Sequence, residues 1–97
     1  TLDKLAAYLL KSPGVTVKLN AHTEAKGNRY GNLQISQKMA DKAKEYLVAK
    51  GVNANQLIPR GYGERYLLNR CHRGVYCDAA QHKVNRRIEV VVWNVAR

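Results

Sequence analysis

The chain has 97 residues, of which 45% are hydrophobic and 25% are charged. This length allows one domain with a single core, and the composition is typical of a globular chain rather than a disordered one. No apolar run approaches the ~20 residues that a membrane-spanning helix needs, so we expect no direct membrane span. The formal net charge of +10 predicts attraction to polyanions, unless the charge is only a solvated surface.

A helix is predicted at the N-terminus, because leucine and alanine side chains recur at helical spacing between residues 2 and 10. Ser12-Pro13-Gly14 is predicted to end this helix. The segment has no cleavage-site pattern, so it is not expected to be a signal peptide. Because the chain starts inside the helix, we expect residues 1–97 to be a single domain cut from a longer protein.

A strand, a loop and a long helix are predicted next. Residues 15–21 alternate apolar and polar side chains, which predicts a strand with one buried face. Residues 22–31 contain two glycines and several charges and are predicted to form a loop. From residue 32 to residue 50 the pattern is helical, and Gly51 is well placed as the C-terminal cap. The predicted apolar stripe of this helix consists of Ile35, Met39, Ala43, Tyr46 and Leu47.

Two further strands are predicted, on either side of a long polar segment. Residues 57–60 form the first, and Pro59 within it indicates an edge strand or a bulge. Residues 64–84 form the polar segment, and a loop of this length in a small domain is usually functional or cross-linked. The last strand covers residues 87–95, and the side chains that alternate onto one of its faces are Ile88, Val90 and Val92. This order of helices and strands predicts α/β packing.

Several short motifs occur in a fixed order along the chain. Ala21-His22-Thr23-Glu24 follows the first strand, Gly-Tyr-Gly-Glu occupies residues 61–64, and Asn-Arg-Arg occupies residues 85–87. Together these motifs resemble the OmpA-like peptidoglycan-associating domain of Gram-negative envelopes, over about residues 5 to 92. The remaining matches to the family pattern are Gly27, Asn32, Ser36, Tyr46, Leu47 and Gly51.

The resemblance implies an α/β (α+β) fold, in which a mixed βαβαββ sheet has its helices packed on one face. The first strand of that pattern is missing from this chain, because Thr1 already begins the predicted helix. Its absence is expected to leave one sheet edge open, which favours aggregation or strand exchange.

The resemblance also implies noncovalent binding of the diaminopimelate residue of the peptidoglycan stem peptide. Such a domain would anchor an outer-membrane protein or secretion complex to the cell wall from the periplasmic side, without a cofactor. The ligand carries an ammonium group beside carboxylates, so its pocket needs an acid together with a cation or backbone amides. The aspartate of the family falls on Glu24, and the amides would be those of Ala25, Lys26 and Gly27.

Three other positions of the family's site are ambiguous in this chain. The family's carboxylate-binding arginine falls on Met39, which cannot pair with an anion and otherwise belongs to the apolar stripe. Lys42 or Lys26 would then supply the cation. Asn32 matches a ligand-contacting asparagine, but asparagine is also a good helix N-cap, and both roles stay open. Arg86 either lines the pocket or forms an ion pair.

Cys71 and Cys77 are the only two cysteines. With His72 and His82 they could form a zinc site, but structural zinc usually uses closer cysteine pairs, and five residues intervene here. A disulfide is therefore favoured over free thiols or a metal. The segment is similar to the cysteine-containing insertion of OmpA-like domains from Bacteroidetes, one of which anchors the type IX secretion machinery. His22 is expected to be structural.

Catalysis has little support, because the sequence contains neither a plausible Ser-His-Asp arrangement nor a phosphate-binding glycine loop. Two noncatalytic alternatives remain. The first is a domain that keeps the fold but serves protein–protein assembly, which the replacements at Glu24 and Met39 favour. The second is sequence-independent nucleic-acid binding through the positive charge, but the chain lacks a row of stacking aromatic side chains, so no specific nucleic-acid partner is expected.

Overall fold

Three α-helices and three strands make up the structure, a computed structural model that describes residues 1–95. The polar segment between the second and third strands, predicted as a loop, contains one short helix, which Asp78 caps. The elements in chain order are α1 (Leu2–Lys11), β1 (Val15–His22), α2 (Arg29–Ala49), a short 3-10 turn (Ala54–Gln56), β2 (Leu57–Gly61), α3 (Ala79–Lys83) and β3 (Arg87–Val95).

The sheet has the order β2-β1-β3, with β1 parallel to β2 and antiparallel to β3. A register shift between Thr16 and Val17 interrupts the antiparallel ladder. The mixed α/β architecture predicted from the sequence is therefore confirmed. Pro59 lies in β2, which is an edge strand, so its missing N–H costs no hydrogen bond inside the sheet.

The hydrophobic core lies between the two long helices and one face of the sheet. Gln56, in the 3-10 turn before β2, is also buried. Its Nε2 donates to the backbone oxygens of Leu9, Ser12 and Val15, at distances from 2.9 to 3.2 Å. These bonds satisfy carbonyl groups where the chain passes from α1 to β1. The buried side chains of the core are Ala6, Leu9, Val15, Val17, Leu19, Ala43, Leu47, Val52 and Leu57.

The buried face of α2 differs from the predicted stripe. Ile35 is 52% exposed and Tyr46 is 40% exposed, so the prediction was wrong for both. For Ile35, the reason is that the helix packs closely against the end of β2 at the neighbouring positions: a Cβ on Gly61 would lie 2.3 Å from the backbone nitrogen of Gln37. Only small or hydrogen-bonded side chains fit such a contact. Tyr46 instead reaches α1, where its hydroxyl donates a hydrogen bond to the carboxylate of Asp3. The buried residues of α2 are Asn32, Ser36, Ala40, Ala43 and Leu47.

The last strand, β3, shows the predicted alternation of faces, but most of it stays exposed. Ile88, Val90 and Val92 pair with inward-facing residues of β1, so they share one face of the sheet. Only Ile88 packs against the core, whereas Val90 is 45% and Val92 is 55% exposed. Within residues 1–95, β1 is the only strand that pairs with β3, and the other edge of β3 carries no strand.

Candidate functional site

The loop after β1 and the turn after β2 meet at one end of the sheet, because the two strands are parallel neighbours. The backbone N–H of Thr23 donates to the carbonyl oxygen of Gly63 over 2.8 Å, and that of Tyr62 donates to the carbonyl oxygen of Ala21 over 3.0 Å. Gly63 has a φ of +59°, a conformation that favours glycine. The first turn of α2 closes the third side of this region.

Asn32 organises the loop between β1 and α2. Its buried side-chain amide donates to the carbonyl oxygens of Glu24 (3.2 Å) and Lys26 (2.7 Å) and to Oε1 of Glu64 (3.1 Å). The N-cap role considered for Asn32 was wrong. Asn28 occupies that position, and its side chain accepts a hydrogen bond from the N–H of Gly31.

Glu64 connects this loop to the segment that contains the cysteines. Arg73 forms two hydrogen bonds to the Glu64 carboxylate (2.7 and 2.5 Å) and one to the carbonyl oxygen of Gly27 (2.6 Å). Nε of Arg29 lies 3.6 Å from the same carboxylate. Burial alone would raise the pKa of Glu64, but the hydrogen bonds from Arg73 and Asn32 and the two arginine charges outweigh it and lower this pKa.

A cavity of about 300 Å³ opens between the loop and the start of α2. Among the residues that the structure describes, Glu24 supplies its only carboxylate, and Lys26 and Arg86 supply two cations. Within residues 1–95, Glu24 belongs to no ion pair, so its carboxylate is available to a ligand. The cavity therefore presents charges of both signs. Its lining residues are Thr23, Glu24, Lys26, Gly27, Asn32, Ile35 and Arg86.

Comparison with known proteins identifies the family. A model described as the OmpA family matches residues 1–76. The chain belongs to the OmpA family. It is 34% identical over 91 residues to a protein from Legionella pneumophila named peptidoglycan-associated lipoprotein, covering 94% of this chain and 49% of that protein. A protein of the same name from Pasteurella multocida is 36% identical over 86 residues, with 89% and 54% of the two chains covered.

Solved structures show the same fold. The crystal structure of the peptidoglycan-associated lipoprotein from Burkholderia pseudomallei matches with a TM-score of 0.84 and 25% identity, covering 95% of this chain and 74% of that one. The C-terminal domain of MotB from Helicobacter pylori matches with a TM-score of 0.80 and 20% identity, covering 98% and 70%. This OmpA-family chain spans about half the length of the two lipoproteins with which its sequence was compared.

Five of the residues proposed from sequence line the small cavity of this OmpA-family domain, whereas three do not. Ala25 is buried within the loop, 8% exposed. Met39 and Lys42 are absent from the lining. The lining residues that sequence analysis proposed are Glu24, Lys26, Gly27, Asn32 and Arg86.

Glu64 and Arg73 were missed as parts of this site. Glu64 was recognised only as the end of a turn motif. Arg73 lies between the cysteines, 46 residues after Gly27, and no local pattern links the two. The only signal in the sequence was an arginine inside a segment expected to be cross-linked.

The three residues of the Asn-Arg-Arg motif have different roles. Asn85 is fully buried, where its Oδ1 accepts from the N–H of Leu68 over 2.7 Å. Arg86 lines the small cavity. Arg87 instead forms an ion pair with Glu89 over 2.5 Å.

His22 packs as a structural residue, as expected. It is 3% exposed, and its ring stacks on Tyr62 with the ring centroids 5.5 Å apart. Burial lowers the pKa of His22, the charge of Arg87 lowers it further, and Glu89 opposes both effects. His22 therefore favours the neutral form.

The predicted disulfide joins Cys71 to Cys77. Both sulfur atoms are thus unavailable as thiolate ligands, and the zinc site considered for this segment is not formed. In the part of the chain that the structure describes, no group of three or more His, Cys, Asp or Glu side chains could hold a metal ion. No helix within residues 1–95 is long and apolar enough to cross a membrane.

Proposed function

We propose that this OmpA-family domain binds peptidoglycan noncovalently and without catalysis, holding the diaminopimelate of a stem peptide in the small cavity. The observation that carries the proposal is the grouping of Glu24, Lys26 and Arg86 around one cavity. Diaminopimelate presents an ammonium group beside carboxylates, which is the complementary arrangement of charges. A purely anionic ligand would leave Glu24 unpaired, and a neutral ligand would leave the charges of both signs unpaired.

Each charged side chain has a distinct role in this proposal. Glu24 receives the ammonium group, while Lys26 and Arg86 receive the carboxylate in place of the arginine that Met39 replaces. Asn32 shapes the site rather than binding the ligand, because its amide hydrogens already serve three acceptors of the protein. In this proposal the binding groups lie outside α2: Glu24 and Lys26 are in the loop after β1, and Arg86 lies directly before β3.

The names of the relatives suggest the cellular setting. Two of them are called peptidoglycan-associated lipoprotein, and a third, from Pseudomonas fluorescens, is called outer membrane porin F. That porin is 33% identical over 93 residues, covering 94% of this chain but 26% of the porin. We therefore propose that the domain works at the periplasmic face of the outer membrane and anchors its parent protein to the cell wall. The narrower link to Bacteroidetes and type IX secretion is a proposal that rests on the cysteine-containing segment alone.

Calorimetric titration with a diaminopimelate-containing stem peptide tests the function. We expect saturable binding that persists at about 150–300 mM salt, where exposed charges are screened. Glu24→Ala should weaken binding by about tenfold to a hundredfold, since one charge-assisted contact is lost. Glu45→Ala is the matched control, because Glu45 is exposed on α2 and outside the small cavity.

A second candidate function is protein–protein assembly by a domain whose ligand site has decayed. The observation that favours it is Met39, which replaces the arginine of the family and does not line the cavity. Under this alternative, the stem peptide would not bind at all, or its binding would fade with salt equally in Glu24→Ala and Glu45→Ala. Either result would overturn the peptidoglycan proposal.

A further inference from the structure

A second, larger cavity of about 820 Å³ lies around the end of β2, on the other side of the Asn32–Glu64–Arg73 contacts. None of the residues proposed to bind diaminopimelate lines it. Its volume falls in the range of small-molecule sites, ~300–1,000 Å³, rather than that of a flat surface. Gln37 and His72 add polar groups to its lining. The charged side chains that line it are Lys18, Arg29, Arg60, Glu64, Arg65 and Arg73.

Positive charge in this cavity is far from balanced. Five of the lining side chains are lysine or arginine, and Glu64 is the only carboxylate that residues 1–95 contribute. Glu64 is already paired with Arg73 (2.5 Å) and Arg29 (3.6 Å). Within residues 1–95, none of the other three cations takes part in an ion pair. A concave wall of unpaired cations concentrates the field and attracts an anion.

Two of the three unpaired cations, Lys18 and Arg65, contact aromatic side chains rather than acids. Nζ of Lys18 lies 3.8 Å from the centroid of the Trp93 ring, and the guanidinium carbon of Arg65 lies 5.9 Å from that of Tyr66. A cation–π contact orients a cation without neutralising it, so the charge remains available to a ligand. The third unpaired cation, Arg60, is exposed near the end of β2 and pairs with Asn20 of β1.

The cavity also offers apolar surface beside the cations. Leu33, Tyr62 and Leu67 line it, and Leu33 is 45% exposed. An inorganic anion would leave these side chains in water, whereas a ligand with a carbon skeleton would cover them. The cavity therefore fits an anionic group attached to a ring or short chain.

We propose that this cavity is a second ligand site, which binds the phosphate group of a phosphorylated sugar. A phosphate monoester carries nearly two negative charges and three acceptor oxygens, so it can contact several cations at once, and arginine forks match its geometry. A single carboxylate offers two oxygens and one charge, and would leave part of the positive charge unpaired. Arg60 and Arg65 are assigned to the phosphate, and the apolar side chains to the sugar ring.

Titration of the ¹⁵N-labelled domain with glucose 6-phosphate, followed by NMR, tests this proposal. The amides of residues 61–65 should shift saturably, and glucose should leave them unchanged. Glucuronate, which places a carboxylate on the same ring, should bind more weakly, and so should inorganic phosphate. Glu24→Ala should keep the sugar-phosphate response, which separates this proposal from peptidoglycan binding in the small cavity.

The double variant Arg60→Gln/Arg65→Gln should raise the dissociation constant for glucose 6-phosphate about tenfold. Lys4→Gln/Lys11→Gln removes the same charge from α1, which lines no part of this cavity, and should change the constant by about twofold at most. Both arginines are exposed, so thermal unfolding should be little affected. Equal losses in the two double variants would show that only overall charge matters, and equal affinity for glucuronate would overturn the phosphate assignment.

Discussion

The side chain of Asn32 connects the first turn of α2 to the loop after β1 and to Glu64 after β2. Replacing Asn32 by alanine would leave two carbonyl oxygens and the Glu64 carboxylate without their donor in a partly buried region. Unpaired polar groups of this kind are costly, so Asn32→Ala should lower the free energy of unfolding by about 2–3 kcal/mol. Urea denaturation monitored by circular dichroism would measure the change.

Asn55→Ala provides the comparison for Asn32→Ala, because Asn55 is exposed in the 3-10 turn, away from the small cavity. Its effect should stay within about 0.5 kcal/mol. If the two variants unfolded at the same urea concentration, the hydrogen bonds of Asn32 would contribute nothing net to stability.

Residue patterns located much of the candidate site because its members lie at fixed offsets in the chain. Glu24, Lys26, Gly27 and Asn32 fall within one loop and the first turn of the next helix, so a linear motif contains them. The contact between Arg73 and Gly27 could not be predicted in this way, because it depends on how an irregular segment folds back. Such contacts follow from tertiary packing rather than from local propensity.

At the scale of elements, the segment that the disulfide closes (residues 71–77) supports the loop between β1 and α2, here called the ligand loop. Arg73 lies between Cys71 and Cys77 and contacts both Glu64 and Gly27. Closing a loop this short stabilises the native state by about 2 kcal/mol in the chain-entropy description. The variant Cys71→Ser/Cys77→Ser should therefore lower the free energy of unfolding by about that amount, as measured by urea denaturation against the oxidised protein.

A double-mutant cycle tests whether the disulfide supports Arg73 in particular. Arg73→Ala should destabilise the oxidised protein, but it should have a smaller effect in the background of the two serine substitutions. Arg70→Ala is the control, because Arg70 is exposed just outside the closed loop and should behave alike in both backgrounds. The same loss from Arg73→Ala with and without the disulfide would mean that the two features are independent.

Helices and strands themselves were largely predictable, but their buried faces were less so. The alternation in β1 identified its inward side correctly, because that strand is central and one face is covered along its length. In α2 the most buried positions near the ligand loop are the polar residues Asn32 and Ser36. Gly61 and Gly63 pack directly against this part of the helix and leave no room for large apolar side chains. In β3 the pattern showed a shared face but not which elements would cover it.

Over the whole molecule, three ionisable side chains, His22, Glu64 and Glu89, have lowered pKa values that favour unfolding in acid. His22 has a pKa below its ordinary value of 6.5, so the unfolded chain takes up this proton first as the pH falls. The pKa of Glu64 lies below its ordinary 4.5 for the reasons given above, and hydrogen bonding from Arg87 lowers that of Glu89. Both carboxylates therefore favour the folded state above about pH 4.5 and lose that contribution below it.

Stability should thus fall in two stages during acidification. The unfolded chain takes up a proton at residue 22 near pH 6.5, so the free energy of unfolding should decline as the pH falls below about 6.5. It should decline further below about pH 4.5, where the two carboxylates lose their contribution. Urea denaturation at intervals from pH 7.5 to 3.5 would resolve both stages. His22→Gln should remove the first stage and keep the second. His72→Gln, an exchange at an exposed histidine, should keep both. If the free energy of unfolding of His22→Gln showed the first decline at unchanged size, another group would be its cause. The packing of His22 against Tyr62 and Arg87 would then not make folding sensitive to pH.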